Sequence, residues 1–346
     1  MKILYSVQAT GNGHISRSME LLPHLENYGN VDIFLSGANC SLELDAPIKY
    51  RSNGLSLFYN CNGGLDYWKI VKEMHVFRLR KEIQELPVEK YDLVINDFDY
   101  ITAAACAKKK IPSVNYGHQA SFMSMNTPRP EKKSSAGEWV LKNYAKASAY
   151  VGLHFDNYDD FIFTPVIKQE ILDAQPSDKG YITVYLPSYC EPQLKDIFGN
   201  LRDCQFQIFS RETKEPKKWS NILFLPVDKK LFNQSLIHCS GIITGGGFET
   251  PAEALHLGKK MISIPIKGQY EQVCNAAALK KMRIKTLSSI DADFPLLFEN
   301  WMNEKKALQK DYSRSIEESL EYLFSLKDNL AQEAATHEML DAALKI

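Results

Sequence analysis

The 346-residue sequence has no C-x-x-C among its seven cysteines, at positions 40, 61, 106, 190, 204, 239 and 274, and no paired metal-ligand spacing. Zinc ribbons and dithiol redox motifs are thereby excluded, and an odd cysteine count fits a reducing cytosol better than a disulfide framework. A dominant charge is missing too. Lys and Arg number 41 against 42 Asp and Glu, a formal net charge of −1, so no global field draws the chain to nucleic acid or anionic lipid. The runs Lys108-Lys109-Lys110 and Lys132-Lys133 are short enough to be solvated helix ends or loops. No apolar stretch approaches the length that spans a bilayer. The opening MKILYSVQATGNG has one lysine and a short apolar run before its glycines, which predicts a first strand and not a signal peptide. Low-complexity tracts are absent as well. The expectation is a cytoplasmic protein, with peripheral contact at the inner face of a membrane left open.

The length exceeds one comfortable core and predicts two domains. In the first half, apolar strands near 2–8, 31–36, 92–96, 112–116 and 149–154 alternate with helical patterns near 14–28, 68–86, 100–109 and 136–147. That alternation predicts an α/β, doubly wound parallel sheet. Residues 165–179 carry prolines and change periodicity, which reads as a linker. The alternation then resumes, with strands near 181–187, 204–209, 221–225, 240–243 and 260–264. The division expected is 1–164, an amino-terminal Rossmann-like domain, and 180–310, a second Rossmann-like domain, followed by helices over 311–346. Two such sheets that face each other bring their carboxyl edges to one cleft, where open α/β sheets bind ligands.

Residues 241–277, GIITGGGFETPAEALHLGKKMISIPIKGQYEQVCNAA, are the most informative in the chain. An apolar strand enters a triple-glycine turn, Gly245-Gly246-Gly247, and the turn opens a helix that carries Thr250 and Glu253. Glycines allow positive φ and close backbone approach, and the helix start offers free N–H groups and a positive dipole end. This is an anion cradle suited to a diphosphate, and a carboxylate at Glu253 is placed to accept from ribose hydroxyls. An ordinary strand, glycine turn and helix of an α/β sheet is the plainer alternative.

The order Thr250, Glu253, Gly258, Pro265, Glu271, Gln272 and Asn275 resembles the donor-binding signature of GT-B glycosyltransferases, closest to family 28 and the UDP-glycosyltransferases. The resemblance implies that Glu253 holds ribose, that Gly246 and Gly247 approach the diphosphate, and that Glu271 and Gln272 bind sugar hydroxyls. Many plant-type members place a histidine on the phosphate turn. Here Thr244-Gly245-Gly246 stands instead, so phosphate contact falls to backbone and hydroxyl groups, with Ser188 as a partner from the other side.

The first predicted strand ends in Gly11-Asn12-Gly13-His14-Ile15-Ser16-Arg17. A dinucleotide fingerprint needs a third glycine where Ser16 stands, which disfavours a dehydrogenase. The segment resembles the G-x-G-H motif of family 28 and UDP-glycosyltransferases, and the G-x-G-H-x-x-R form of uncharacterised bacterial and archaeal GT-B proteins. In UDP-glycosyltransferases that histidine is the catalytic base; in family 28 the glycine loop lies near the acceptor diphosphate. His14 is therefore the candidate base, its alternative being a helix-start residue with no proton to move. Gly11, Asn12, Gly13 and Arg17 are candidates for acceptor or phosphate contact. The apolar run 91–96 ends at Asp97, which the resemblance casts as the orienter of the base, while Asp97 or Asp99 would equally cap the next helix. Asp97-Phe98-Asp99 also spells a metal-binding D-x-D, but the donor signature lies in the other half, and no metal is expected. His118 is the reserve base or acceptor contact, a structural loop histidine being its plainer alternative, and His154 stands behind it.

The reading that follows is a two-domain GT-B glycosyltransferase, inverting and metal-independent. Its expected partners are a nucleotide-diphosphate sugar, with UDP as the nucleotide, and a hydroxyl acceptor, without nucleic acid. A sugar-nucleotide 2-epimerase of the same fold and a non-catalytic nucleotide-sugar-binding protein are the rivals.

Overall fold

A computed structural model describes residues 1–9, 11–37, 44–54, 76–304 and 307–327. The first sheet comprises β1 (Lys2–Gln8), β2 (Asn30–Ser36), β3 (Ile48–Ser52), β4 (Leu93–Asp97), β5 (Val114–Gly117), β6 (Ala149–Leu153) and β7 (Ile162–Phe163). Their spatial order is β3-β2-β1-β4-β5-β6-β7, and all pairings are parallel. The second sheet comprises β8 (Tyr181–Tyr185), β9 (Gln205–Ser210), β10 (Lys217–Trp219), β11 (Ile222–Pro226), β12 (Gly241–Gly245), β13 (Lys260–Ile264) and β14 (Lys285–Thr286). Its order is β10-β11-β9-β8-β12-β13-β14, with β10 alone antiparallel. Two Rossmann-like sheets of seven strands each are the GT-B architecture expected from the sequence.

Four strands were not foreseen: β3, β7, β10 and β14. Two of them hold only two residues, and the KKW of β10 is exposed throughout, so neither length nor burial leaves a periodic signal. The first helix, α1 (Asn12–Glu26), starts two residues before its expected position, because the glycine motif is itself its opening turn. Of the helix expected over 68–86, α2 (Val76–Glu85) is described, and the part before residue 76 lies outside the described residues. The lysine run at 108–110 closes α3 (Tyr100–Lys109), with Lys108 and Lys109 in the last turn and Lys110 in the left-handed region at φ 55. Cations there complement the carbonyl end of the helix dipole.

Each sheet reverses strand order beside its first strand, between β1 and β4 in one and between β8 and β12 in the other. In register, Val7 pairs with Asp97 and Thr244 with Tyr185. The loops after β1 and β4 thus emerge side by side, as do those after β8 and β12. These are the switch points at which open α/β sheets receive ligands.

In the first domain α4 (Ser135–Asn143) precedes β6, the segment read as a linker carries a short helix, α5 (Gln169–Leu172), and the second domain continues with α6 (Glu191–Gly199) and α7 (Lys229–His238). Residues 315–327 are helical and lie against the first sheet. Leu320 and Leu323 are buried there, the Tyr116 and Ser319 hydroxyls bond at 2.7 Å, and Tyr28 stacks on Phe324 at 3.7 Å.

Candidate active site

On the first domain, Gly11 is the N-cap of α1 in extended geometry and, as a glycine, brings no side chain to the cap. His14 and Arg17 lie about one turn apart and so share a face. That face looks onto the end of β4. His14 Nδ1 is 2.9 Å from Asp97 Oδ1, and Arg17 Nη2 donates to both Asp97 oxygens at 2.8 and 2.9 Å. Asp97 is fully buried. Burial works to raise its pKa, but the Arg17 charge, with His14 behind it, wins and holds it below the usual carboxylate range. An ionised Asp97 accepts only, so Nδ1 must carry the ring proton, although Arg17 Nη2 also lies 3.1 Å from that nitrogen. The other ring nitrogen, Nε2, then presents its lone pair. Capping, which the sequence left between two residues, falls to Asp99: it is buried and accepts from the Thr102 amide at 2.6 Å. Both carboxylates of the D-x-D thus have protein partners.

On the second domain, β12 runs through the glycine turn into α8 (Glu249–His256). The sequence suggested positive φ for these glycines, and this is corrected: none of Gly245, Gly246 and Gly247 is in the left-handed region. Space is what they provide. A Cβ on Gly246 would lie 2.8 Å from both the Gln272 carbonyl oxygen and Pro265 Cβ, whereas one on Gly247 would meet nothing within 4 Å. Gly246 therefore seats the turn on the loop after β13, and Gly247 leaves the approach to the helix start open.

Thr250 is half-buried in the first turn of α8. Glu253 is 3% exposed, and its Oε1 pairs with Lys168 Nζ at 2.9 Å while Oε2 has no partner. A buried carboxylate oxygen without a donor is costly, and a ligand hydroxyl would satisfy it. Ser188 is exposed in the turn after β8, next to β12 in the sheet. In α9 (Tyr270–Lys281), Gln272 Oε1 accepts from the Ile266 amide at 2.9 Å, and Glu271 Oε2 accepts from Gln119 Nε2 at 3.0 Å. One therefore holds the loop and the other spans the domains, so neither side chain is waiting solely for sugar.

The cleft is bridged at its centre. Arg17 Nη1 donates to Glu249 Oε1, and Gly13 packs against the same side chain, where a Cβ would lie 3.1 Å from Glu249 Cγ. Arg17, proposed from sequence for an anionic ligand, is held by Asp97 and Glu249 of the protein itself. Burial opposes its charge, but those carboxylates overcome this and raise its pKa. Glu249 goes the other way and reaches about 7: burial is the main cause, Arg17 opposes it, and Glu253 and Asp97 add to it. Two carboxylates share one guanidinium, and Asp97 has the better geometry.

His118 does not face open cleft. It is buried, with Nδ1 2.9 Å from the Leu153 carbonyl, Nε2 2.7 Å from Asn275 Oδ1, and its ring stacked on Phe248 at 3.9 Å. Asn275 Nδ2 in turn donates to the Gly246 carbonyl at 3.0 Å, so His118 supports the donor turn from the other domain. Burial lowers its pKa, against Glu271. His154 is buried among Phe122, Phe155, Tyr158 and Phe248, and its Nδ1 accepts from the Phe155 amide at 2.8 Å. Neither ring is placed to take a proton from an acceptor. Glu249 and Lys168 escaped the sequence reading; Glu249 stands inside the very motif that was singled out, but its partner is 232 residues away.

A cleft between two Rossmann-like sheets, with a histidine–carboxylate pair facing a glycine turn, defines a GT-B glycosyltransferase. The model of glycosyl transferase family 1 matches residues 1–295, and the chain belongs to that family. Its fold is similar to that of Arabidopsis thaliana UGT89C1 in complex with UDP, at TM-score 0.61 and 13% identity, with 95% of this chain and 99% of that one covered. Phytolacca americana UGT2 with UDP-2-fluoro-glucose and pterostilbene gives TM-score 0.58 at 14% identity, covering 97% and 98%. Acinetobacter baumannii MurG gives 0.54 at 14%, covering 96% and 99%. No curated protein sequence matches the chain.

Proposed function

We propose that this glycosyltransferase moves a sugar from a nucleotide-diphosphate donor, with UDP as the nucleotide, to a hydroxyl acceptor with inversion and without a metal ion. The observation that carries the proposal is the placement of His14, oriented by Asp97, across from the glycine turn of β12, to which Arg17 and Glu249 tie it. His14 Nε2 takes the acceptor hydroxyl proton as the oxygen attacks the anomeric carbon. The C–O bond to the diphosphate breaks as the new one forms, and the leaving charge falls on the amides at the start of α8. Glu253 Oε2 accepts from ribose. Ser188 and Thr250 stand at the phosphates, and Glu271 and Gln272 stand beside the sugar. Asp97 and Asp99 are committed to His14, Arg17 and the α3 cap, which supports a reaction that survives chelation. The UDP and UDP-sugar complexes of the structural neighbours support the donor class.

Among the described residues no helix is long and apolar enough to cross a membrane, in keeping with a cytoplasmic enzyme. Product analysis after incubation with UDP-sugars and hydroxyl acceptors tests the proposal. An inverted glycoside supports it, an epimerised nucleotide sugar would replace it with a 2-epimerase, and an unchanged but bound ligand would make the protein a sensor.

A further inference from the structure

Glu249 is a carboxylate in a place where a diphosphate-binding helix would ordinarily avoid one. It is the first residue of α8, its side chain crosses to Arg17 and Gly13 of the other domain, and Gly247 leaves the space beside it open. The groups that face it are His14 and Arg17 from α1, Asp97 from the end of β4, and Glu253 one turn on along its own helix. Glu253 is in turn neutralised by Lys168, so Arg17 is the cation that balances both Glu249 and Asp97. Adding a diphosphate at the helix start puts further negative charge within a turn of Glu249 and leaves the count of cations unchanged. A carboxylate that takes up a proton beside the phosphates would offset the excess.

We propose that Glu249 is a positioning residue that takes up a proton when a diphosphate binds the glycine turn, so that it changes from an ionic to a neutral partner of Arg17. The uptake does two things. It removes the like-charge repulsion between Glu249 and the phosphates, and it returns the full Arg17 charge to Asp97 and the ligand. The carboxylate is already poised for this, because burial and its acidic neighbours bring its pKa to about 7 before any ligand arrives. The sign follows directly. Binding that takes up a proton weakens as pH rises, by about tenfold per unit once Glu249 is ionised in the free protein.

This inference rests on the donor reading and deepens it. The test is calorimetric titration of the whole chain with UDP at pH 7.5, in buffers of differing ionisation enthalpy; this lies above the roughly 6 at which a terminal phosphate titrates. Wild type should take up about three quarters of a proton at pH 7.5, and its Kd should rise about eightfold between pH 7.5 and 8.5. Glu249→Gln, which keeps an oxygen for Arg17, should bind UDP more tightly at pH 8.5, with no uptake and a flat profile. Glu249→Asp, which still titrates, should retain the uptake. UDP binding in wild type without uptake, or equal uptake in Glu249→Gln, would overturn the coupling and leave the donor reading intact. Absence of UDP binding in all three folded proteins would overturn both.

Discussion

Replacing Asp97 by Asn changes one atom at the centre of the site and should separate stability, chemistry and binding. The carboxylate is fully buried, receives His14 Nδ1 at 2.9 Å and takes Arg17 Nη2 at 2.8 and 2.9 Å. Breaking a buried pair typically costs about 3–5 kcal/mol, but Arg17 keeps Glu249, so the loss here should be nearer about 2–3 kcal/mol. Because its pKa is lowered in the fold, Asp97 stabilises the native state above roughly pH 3.9 and loses that contribution as pH falls through the folded value. Urea midpoints of wild type and variant should therefore differ at pH 7 and converge below about pH 4. The chemical effect is separate. An Asn amide turned toward the ring donates to Nδ1 and moves the ring proton to Nε2, which removes the lone pair from the cleft. Loss of base catalysis is worth about 10²–10⁴ in kcat. The Kd for UDP should not rise, since its proposed contacts lie on the second domain and the variant removes negative charge from the side chains around Arg17 and Glu249. Ring ¹⁵N shifts of His14 report the tautomer without any substrate. A variant whose His14 tautomer and kcat both match wild type would refute the orienting role. A Kd for UDP that rises in step with the fall in kcat would place Asp97 in donor binding.

The sheets were legible because buried parallel strands leave continuous apolar runs, as in IIT of β12 and LVI of β4, and because glycines punctuate the strand ends where ligands bind. The residue types of the site were legible as motifs, so His14, Asp97 and Glu253 could be named in advance. Their partners could not. Asp97 and Asp99 are alike in sequence, and which one caps α3 depends on Phe98 taking φ 57, which turns the two carboxylates in different directions. The surroundings that set His118 and His154 aside were hidden for a similar reason. His118 and His154 follow strand ends as a catalytic residue would, but Phe122 and Phe155 of the first domain and Phe248 of the second cover them. Arg17 read as a ligand for an external anion because Glu249 is distant in the chain. Long-range charge compensation leaves no local pattern, and this is where sequence reasoning stops.

Tyr116→Phe removes the hydroxyl that bonds Ser319 at 2.7 Å and should destabilise by about 1 kcal/mol. A Ser319→Ala partner in a double-mutant cycle should then add little, and full additivity would mean that the terminal helix is held by its apolar face alone. The donor turn offers the sharpest test of packing against conformation. Gly246 does not have positive φ, so an alanine there meets no backbone strain, but its methyl must displace the Gln272 carbonyl oxygen and Pro265 Cβ, each 2.8 Å away. Overpacking of this kind costs about 1–3 kcal/mol. Because the Gly246 carbonyl also receives Asn275, which holds His118, the shift should reach both domains and weaken UDP binding along with stability. Gly247→Ala is the control: its methyl meets no protein atom within 4 Å, so stability should hold, while a diphosphate that occupies that space should bind less well. Calorimetry with UDP and urea unfolding distinguish the two variants. If Gly247→Ala binds UDP as wild type does while remaining folded, the open space beside the helix start is not where the phosphates sit, and the donor site must be sought along another loop of the second sheet.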